Sequence, residues 1–566
     1  MKNSELPKAK KYSQVVPDFE DWPIVQLNKI HNQFGDEVLD KSITSLSQHG
    51  NGVLLETLER TLFVESIRLR EQRWSTDPED DENFWKGIRE ELLTLSQKDS
   101  SESKAGEEKL LHDIISRYVH EIESTFNISS YRFAQRMLTI GFYPLLNAPV
   151  YLNFLEKQLN VQVQKRIQLS GDLELIRKLA KNCTLILVPT HFSNLDSITV
   201  AWAIRTLGLP AFLYGAGQNL FGIKLLSFFM NRLGAYKVDR RKKNALYLET
   251  LKTYSTLAIH KGCHTMFFPY GERSLSGSIE TKLKLGLLGT AMDAQYMNIQ
   301  KAENNGTAKK VIIVPVVLNY HFVLEAPFLI DEYLKTTGRE NYLIDENDRY
   351  STSFELLKTA AKLFTQDTEF QINFGQCMDV FGNPVDDEGR SKDGSGREIN
   401  IRDYFVSRGE LKQDKQRNSE YVRMLGKKLA ASYLQENTVF SSHLVSFVAF
   451  ELLKIKKPKM DIYDLMRLTE DERVIQEPEF MVATEKVLKE LKSLASENKI
   501  KLASHLALEL GWNLEKIIAH GIRNAGIYHP EKVLSKNKQG QITVVDMKLV
   551  YYYHNRLNGY GLEKVF

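Results

Sequence analysis

Cysteine is scarce. The 566 residues hold three, Cys183, Cys263 and Cys377, odd in number and far apart. None forms a C-x-x-C pair, so neither a disulfide framework nor a zinc site is indicated, and the scarcity suits a reducing compartment. A surplus of charge is missing too: 75 Lys plus Arg face 72 Asp plus Glu, a net charge of +3. That balance gives no reason to expect nucleic acid as a partner, and any anion site has to be local. No apolar run approaches the ~20 residues that a membrane-spanning helix needs. The two longest candidates, Met137–Leu155 and Leu220–Leu233, are broken by Gly, Pro, Asn, Lys or Arg. They read as buried helices or as segments lying in a membrane interface. The amino-terminal stretch MKNSELPKAKKYSQ is polar and lacks the apolar centre of a secretory signal.

What is present is ordinary globular material, 42% hydrophobic and 26% charged. Apolar residues recur at three and four over Leu54–Arg70, Phe84–Leu95, Leu110–Phe126 and Tyr131–Leu159, so residues 1–165 are expected to be a helical region. Within it the polar stretch Lys98–Glu108 reads as an exposed linker. Past Gly171 the texture changes. Short apolar runs at Thr184–Val188, Thr265–Phe268 and Val311–Leu318 alternate with helical patterns at Ser197–Leu207, Lys242–His260 and Lys284–Met297. This alternation predicts an α/β domain with a mostly parallel sheet over residues 166–385. Residues 386–566 return to helical periods at Asn418–Leu434, Ser441–Leu453 and Phe480–Asn498. They begin after the Gly, Asp and Ser-rich loop Val385–Glu398, and Gln541–Tyr553 reads as a strand and then a short helix. The fold class is therefore α/β, a central sheet domain flanked by two helical regions.

Four short segments carry chemistry. In VPTHFSNLDS a buried strand ends at Val188 and Pro189, His191 comes at once, and Asp196 stands five residues later at an expected helix start. Ligands of open α/β sheets collect at the carboxyl ends of strands. A turn there lets Asp196 bond one nitrogen of His191 and leaves the other to accept a proton from a hydroxyl. The bland alternative is an aspartate capping a helix. The second segment, GAYKVDRR with Lys242 and Lys243, sets a basic cluster suited to phosphate after a glycine turn, or else starts a solvated basic helix. In the third, FFPYGERSLSG, a strand runs into a glycine and serine-rich loop that brings Arg273 and backbone N–H groups towards an anion. The fourth, VIIVPVVLNY, has a proline inside a strand, which marks an edge, a bulge or a strand end.

Taken in order, the four segments resemble the blocks of the glycerolipid acyltransferase superfamily. His191 and Asp196 match its H-x4-D, Gly234 and Arg240 its G-x5-R-like block, and Phe268, Pro269, Gly271, Arg273, Ser274 and Gly277 its F-P-x-G-x-R-S block. Pro315 matches its strand proline. Arg70–Asp81, Arg117–Phe126, Ser441–Phe450 and Tyr552–Leu562 look like flanking segments of the large glycerol-3-phosphate acyltransferase branch. Two departures leave the acceptor open: Tyr270 and Glu272 stand where the family usually has Glu and Thr or Gly, and VDRR is closer to lysophosphatidate acyltransferases.

The resemblance implies transfer of a fatty acyl group from acyl-CoA or acyl-carrier protein to the sn-1 hydroxyl of glycerol 3-phosphate, making lysophosphatidate. It implies no metal, no cofactor and no acyl-enzyme. His191 would be the general base and Asp196 its orienting partner, with N–H groups at the next helix start holding the oxyanion. Arg240, Arg273, Ser274 and Gly271, with Lys237 or Lys284, would bind the acceptor. Arg241 and Lys242 would face phosphate or lipid head groups. Leu220, Phe221, Leu225, Leu226, Phe228, Phe229 and Met230 would line an acyl groove, insert into a bilayer surface, or be core. The expected location is peripheral, on the cytoplasmic face of a membrane. Lysophosphatidate or dihydroxyacetone phosphate as acceptor, a thioester hydrolase and a non-catalytic lipid-binding protein are the alternatives. His264 and His321 read as hydrogen-bonded structural residues.

Overall fold

Short runs rich in β-branched and aliphatic residues form a seven-stranded sheet in a computed structural model, which describes residues 12–47, 53–95, 100–141, 167–218, 230–337, 369–507, 511–527 and 529–566. The strands are β1 (Ile167–Ser170), β2 (Thr184–Pro189), β3 (Leu213–Gly217), β4 (Ala235–Val238), β5 (Thr265–Met266), β6 (Val311–Tyr320) and β7 (Phe370–Phe374). Their order is β1-β7-β6-β2-β5-β3-β4. Every pair is parallel except β6 with β7. Strands β2 and β6 are buried at every position, as strands covered on both faces are. The three runs that alternate most clearly with helices became β2, β5 and β6. The strands β1, β3, β4 and β7 escape the pattern because they are four or five residues long and carry Gly, Gln, Lys or Asn.

Pro315 lies inside the sheet, not at its edge, because β6 pairs with β2 on one side and β7 on the other. Ile313 bridges Met378 and Val316 pairs with Phe374, so residues 375–377 face only 314 and 315. The extra residue is a β-bulge, and it falls where Pro315 has no N–H to offer.

The amino-terminal helices, among them Val53–Glu71, Asp81–Leu95 and Ser100–Ile122, bury a core of their own with the β3–β4 side of the sheet. Trp22, Leu58, Trp85 and Tyr118 meet Leu213, Tyr236, Tyr247 and Tyr254 there. The expected linker Lys98–Glu108 is corrected: from Ser100 onward it is the first turns of the helix Ser100–Ile122. Ala, Glu and Lys in that stretch favour helix, and buried Leu110, Leu111, Ile114 and Ile115 anchor the later turns of the same helix. The carboxyl-terminal helices share the main core with the sheet. The tail forms the expected strand Ile542–Val544 and helix Met547–His554.

A buried ionic network ties the amino-terminal helices to the basic segment. Arg68, with a side chain 1% exposed, donates from Nε to Glu65 at 2.6 Å, from Nη2 to Asp81 at 2.6 Å and from Nη1 to Asp77 at 3.1 Å. Asp77 also receives Arg241, whose guanidinium lies 3.8 Å over the Trp74 ring. Lys242 is buried, pairs with Glu121 and faces the Tyr118 ring. Arg241 and Lys242 are thus clamps between two parts of the fold, and the expectation that they face phosphate or lipid is corrected. Among the described residues no helix is long and apolar enough to cross a membrane. Most of Met137–Leu155, and the groove candidates Leu220 to Phe229, lie outside the described residues.

Removing Arg68 would take from three buried carboxylates the cation that they share. Arg68→Ala is expected to lower unfolding stability by about 3–5 kcal/mol, checked by urea denaturation against the parent.

Candidate active site

The carboxyl ends of β2, β4, β5 and β6 supply the site. Just past β2, Thr190 N–H donates to Val316 O at 2.9 Å and its hydroxyl oxygen accepts from Leu318 N–H at 3.1 Å, which fixes the chain to β6. His191 is the next residue. Asp196 is the first residue of the helix Asp196–Thr206 and is fully buried. Its carboxylate turns back on the turn that precedes it. Oδ2 accepts from His191 Nδ1 at 2.8 Å, Phe192 N–H at 2.6 Å and Ser193 N–H at 2.9 Å, while Oδ1 accepts from the Tyr320 hydroxyl. With Nδ1–H directed at the carboxylate, Nε2 of His191 is the proton-accepting nitrogen. The His191 ring stacks on Phe268, centroids 4.0 Å apart and planes 20° apart, and its side chain is 14% exposed.

Four N–H groups of the turn ahead of this helix are engaged. Phe192 and Ser193 donate to Asp196, Asn194 to Glu325 and Leu195 to the Ser193 hydroxyl. These four hold the turn.

The loop after β5 lies across from the dyad. Ser274 N–H donates to His191 O at 2.8 Å, joining the two segments. The Ser274 side chain is fully buried and its hydroxyl donates to Ser278 O at 2.7 Å, so Ser274 shapes the loop and is not presented to a ligand. Gly271 has φ +84°, and a Cβ there would stand 3.0 Å from Lys284 Cδ. Lys284 therefore crosses directly over Gly271, and its Nζ lies 3.6 Å from Glu272. Arg240, exposed at the end of β4, lies in the field of Glu272 and Arg273. The structure thus gathers Arg240, Gly271, Arg273 and Lys284 beside the dyad, with Glu272 among them. Lys237 is set apart: it is half-buried on β4, opposite Ala216, and lies in the field of Glu121, the partner of Lys242.

Comparison with known proteins agrees with this arrangement. The family model described as Acyltransferase matches residues 171–319. A glycerol-3-phosphate acyltransferase of Pseudomonas paraeruginosa is 23% identical over 338 residues, 59% of this chain and 35% of the relative. Glycerol-3-phosphate acyltransferases of Alteromonas mediterranea and Pseudoalteromonas atlantica are 27% identical over 270 residues and 24% over 289, covering 47% and 51% of this chain and 27% and 30% of theirs.

Residues 171–319 are similar to the acyltransferase family. The chain spans about a third of the length of the curated relatives it matches.

Three residues of this site lie beyond the matched segment and escaped the sequence reading. Tyr320, which donates to Asp196, is the last residue of β6. Glu325 accepts from the Ser193 hydroxyl at 2.9 Å and lies 3.7 Å from Arg273. Arg556 is buried with its guanidinium 4.0 Å over Phe192, donating to Leu318 O at 2.7 Å and Asn319 Oδ1 at 2.8 Å. Burial pushes Arg556 down to about 10. The helix Met547–His554 comes so close that a Cβ on Gly277 (φ +81°) would stand 2.3 Å from Tyr552 O. A small cavity behind the dyad is lined by Phe192, Tyr320, His443, Tyr552 and Arg556, among others. The only sequence signals were a tyrosine closing the VIIVPVVLNY strand and an arginine in the Tyr552–Leu562 segment.

His264 is structural as expected: its Nδ1 accepts from Leu185 N–H at 3.0 Å. His321, His505 and His520 bring ring nitrogens within 4.8 Å of one another. Their surroundings oppose a cation. Ser441 N–H, at the positive end of the helix Ser441–Lys456, donates to His505 Nε2 at 3.2 Å. These rings act as neutral caps on that helix.

Burial holds several imidazoles far below their ordinary value of 6.5: His264, His443 and His505 at about 3, His520 and His529 at about 4. Below 6.5 the unfolded chain takes up protons that these rings refuse. Stability is therefore full above pH 6.5 and falls as pH drops towards 4, by roughly 1.4 kcal/mol per pH unit per ring. Urea midpoints measured at about pH 7 and about pH 5 are expected to be lower at the acid value.

Proposed function

We propose that the protein moves a fatty acyl group from acyl-CoA or acyl-carrier protein to the sn-1 hydroxyl of glycerol 3-phosphate, forming lysophosphatidate. The observation that carries this reading is the buried His191–Asp196 pair beside a cluster of three cations, Arg240, Arg273 and Lys284. A base alone fits many hydrolases. A base next to guanidinium groups fits an acceptor that presents both a hydroxyl and a phosphate.

In the proposed reaction His191 Nε2 takes the proton of the glycerol hydroxyl as its oxygen attacks the thioester carbonyl. The tetrahedral intermediate collapses with loss of the thiolate, and His191 returns the proton to it. Asp196 keeps Nδ1 protonated and stabilises the imidazolium. Its hydrogen bonds from Tyr320 and two backbone N–H groups hold it in the orientation that this role needs. Arg273, 23% exposed, and Arg240 take the acceptor phosphate, and Lys284 completes the rim. The likeness of VDRR to lysophosphatidate enzymes weighs little on the acceptor, because Arg241 is committed to Asp77 and Asp239.

Release of free thiol from palmitoyl-CoA or palmitoyl-carrier protein tests the reading, with glycerol 3-phosphate, dihydroxyacetone phosphate or lysophosphatidate offered in turn. Thiol release is expected to require glycerol 3-phosphate and to drop roughly 10²–10⁴-fold in His191→Ala. Release without any acceptor would make the protein a hydrolase. An unaffected variant would remove His191 from the chemistry.

The proposed place of work is a membrane surface, since the substrate chain and product are lipids. Co-flotation with anionic phospholipid vesicles is the expected outcome, and protein that stays wholly in the soluble fraction would exclude it.

A further inference from the structure

One buried carboxylate outside the dyad touches both halves of the site. Glu325 lies just past the end of β6, immediately before the helix Ala326–Thr337, and its side chain is 1% exposed. Oε2 accepts from the Ser193 hydroxyl at 2.9 Å, and Oε1 accepts from Asn194 N–H at 2.9 Å. Ser193 and Asn194 are the middle of the turn between His191 and Asp196. On its other side Oε1 stands 3.7 Å from Arg273 Nη1. That distance is an ionic contact too long for a hydrogen bond. Among the described residues the Arg273 guanidinium makes no hydrogen bond, so its planar fork stays open to an incoming anion.

The acceptor makes this geometry matter. In glycerol 3-phosphate the reacting hydroxyl and the phosphate sit at a separation set by a short carbon chain. The group that holds the phosphate must therefore keep a fixed distance from the base, since misplacement on the order of 1 Å costs about 10²-fold in rate. We propose that Glu325 is a positioning residue that sets this distance, tying the phosphate-binding Arg273 to the turn that carries His191 and Asp196. The proposal rests on the acyltransferase reading above and adds a device for measuring the acceptor. Glu325 touches no reacting atom. It acts through Arg273 by charge and through Ser193 and Asn194 by hydrogen bonds.

Burial raises the pKa of Glu325, and the Asn194 bond, the Arg273 charge and the Ser193 bond oppose the rise. The carboxylate thus depends on the same contacts that it organises.

Steady-state kinetics with palmitoyl-CoA and varied glycerol 3-phosphate test the proposal. Glu325→Gln keeps the size and one accepting oxygen but loses the charge facing Arg273. It is expected to raise the acceptor KM about tenfold and leave the palmitoyl-CoA KM within about twofold. The double variant Glu325→Gln with Arg273→Gln is expected to have an acceptor KM no higher than Arg273→Gln alone, because the two residues act as one unit. Glu325→Asp keeps the charge but withdraws the carboxylate by one methylene, a misplacement on the order of 1 Å, and is expected to raise the acceptor KM at least about threefold. Additive losses in the double variant, equal shifts in both KM values, or Glu325→Asp with the parent's acceptor KM would each overturn the proposal. Should Glu325→Gln not fold, Glu325→Asp carries the test alone by the same selective rise in the acceptor KM. A parent protein with no acceptor-dependent thiol release would overturn the acyltransferase reading itself, and this proposal with it.

Discussion

The site depends on one buried carboxylate. Asp196 is cut off from solvent and accepts four hydrogen bonds, from His191, Phe192, Ser193 and Tyr320. These bonds fix its orientation, and the one to Nδ1 holds the imidazole in one tautomer. The four donors come from the turn after β2 and from the last residue of β6. The dyad therefore exists only because β6 runs on past the end of β2: Pro189, the last residue of β2, pairs with Val316, and β6 continues to Tyr320. Sheet register, turn and imidazole tautomer are one constraint.

The same logic of buried charge governs the attachment of the amino-terminal helices. Arg68 and Arg241 share Asp77, and Glu65 receives the Tyr118 hydroxyl and the Asn244 side chain. Asn244 also caps the helix Ala245–His260, through Tyr247 N–H. A basic run that reads as a ligand site is in this way divided. Arg240 remains at the rim, while Arg241 and Lys242 are consumed by packing. Three adjacent cations have two different fates, and what decides each is whether an acidic side chain from a distant helix reaches it.

That division marks how far the sequence was legible. The strands β2 and β6 were readable because they are continuous apolar runs, buried on both faces. The His191–Asp196 pair was readable because both members lie in one turn, five residues apart. Arg273 was readable from its loop. Arg241 and Lys242 were misread because their partners, Asp77 and Glu121, are more than a hundred residues away in sequence. Tyr320, Glu325 and Arg556 were missed for the same reason: each acquires its role only from a contact made across the sheet or from the carboxyl-terminal helices. Ser274 was half read. It belongs to the site through its backbone N–H on His191, while its hydroxyl is buried in the loop.

The family match ends at residue 319, one residue short of Tyr320. The site does not end there. Asp196 needs the Tyr320 hydroxyl, and the turn needs Glu325. Phe192 packs beneath Arg556, while Gly277 and Ser276 in the loop after β5 are held against Tyr552 and Asn555. Arg556 is a buried cation that donates to Asn437, Leu318 and Asn319, all uncharged acceptors, with Asp196 among the anions whose field it feels. The carboxyl-terminal region is thus part of the packing around the dyad, and the matched segment alone would hold these residues without the surroundings that fix their direction.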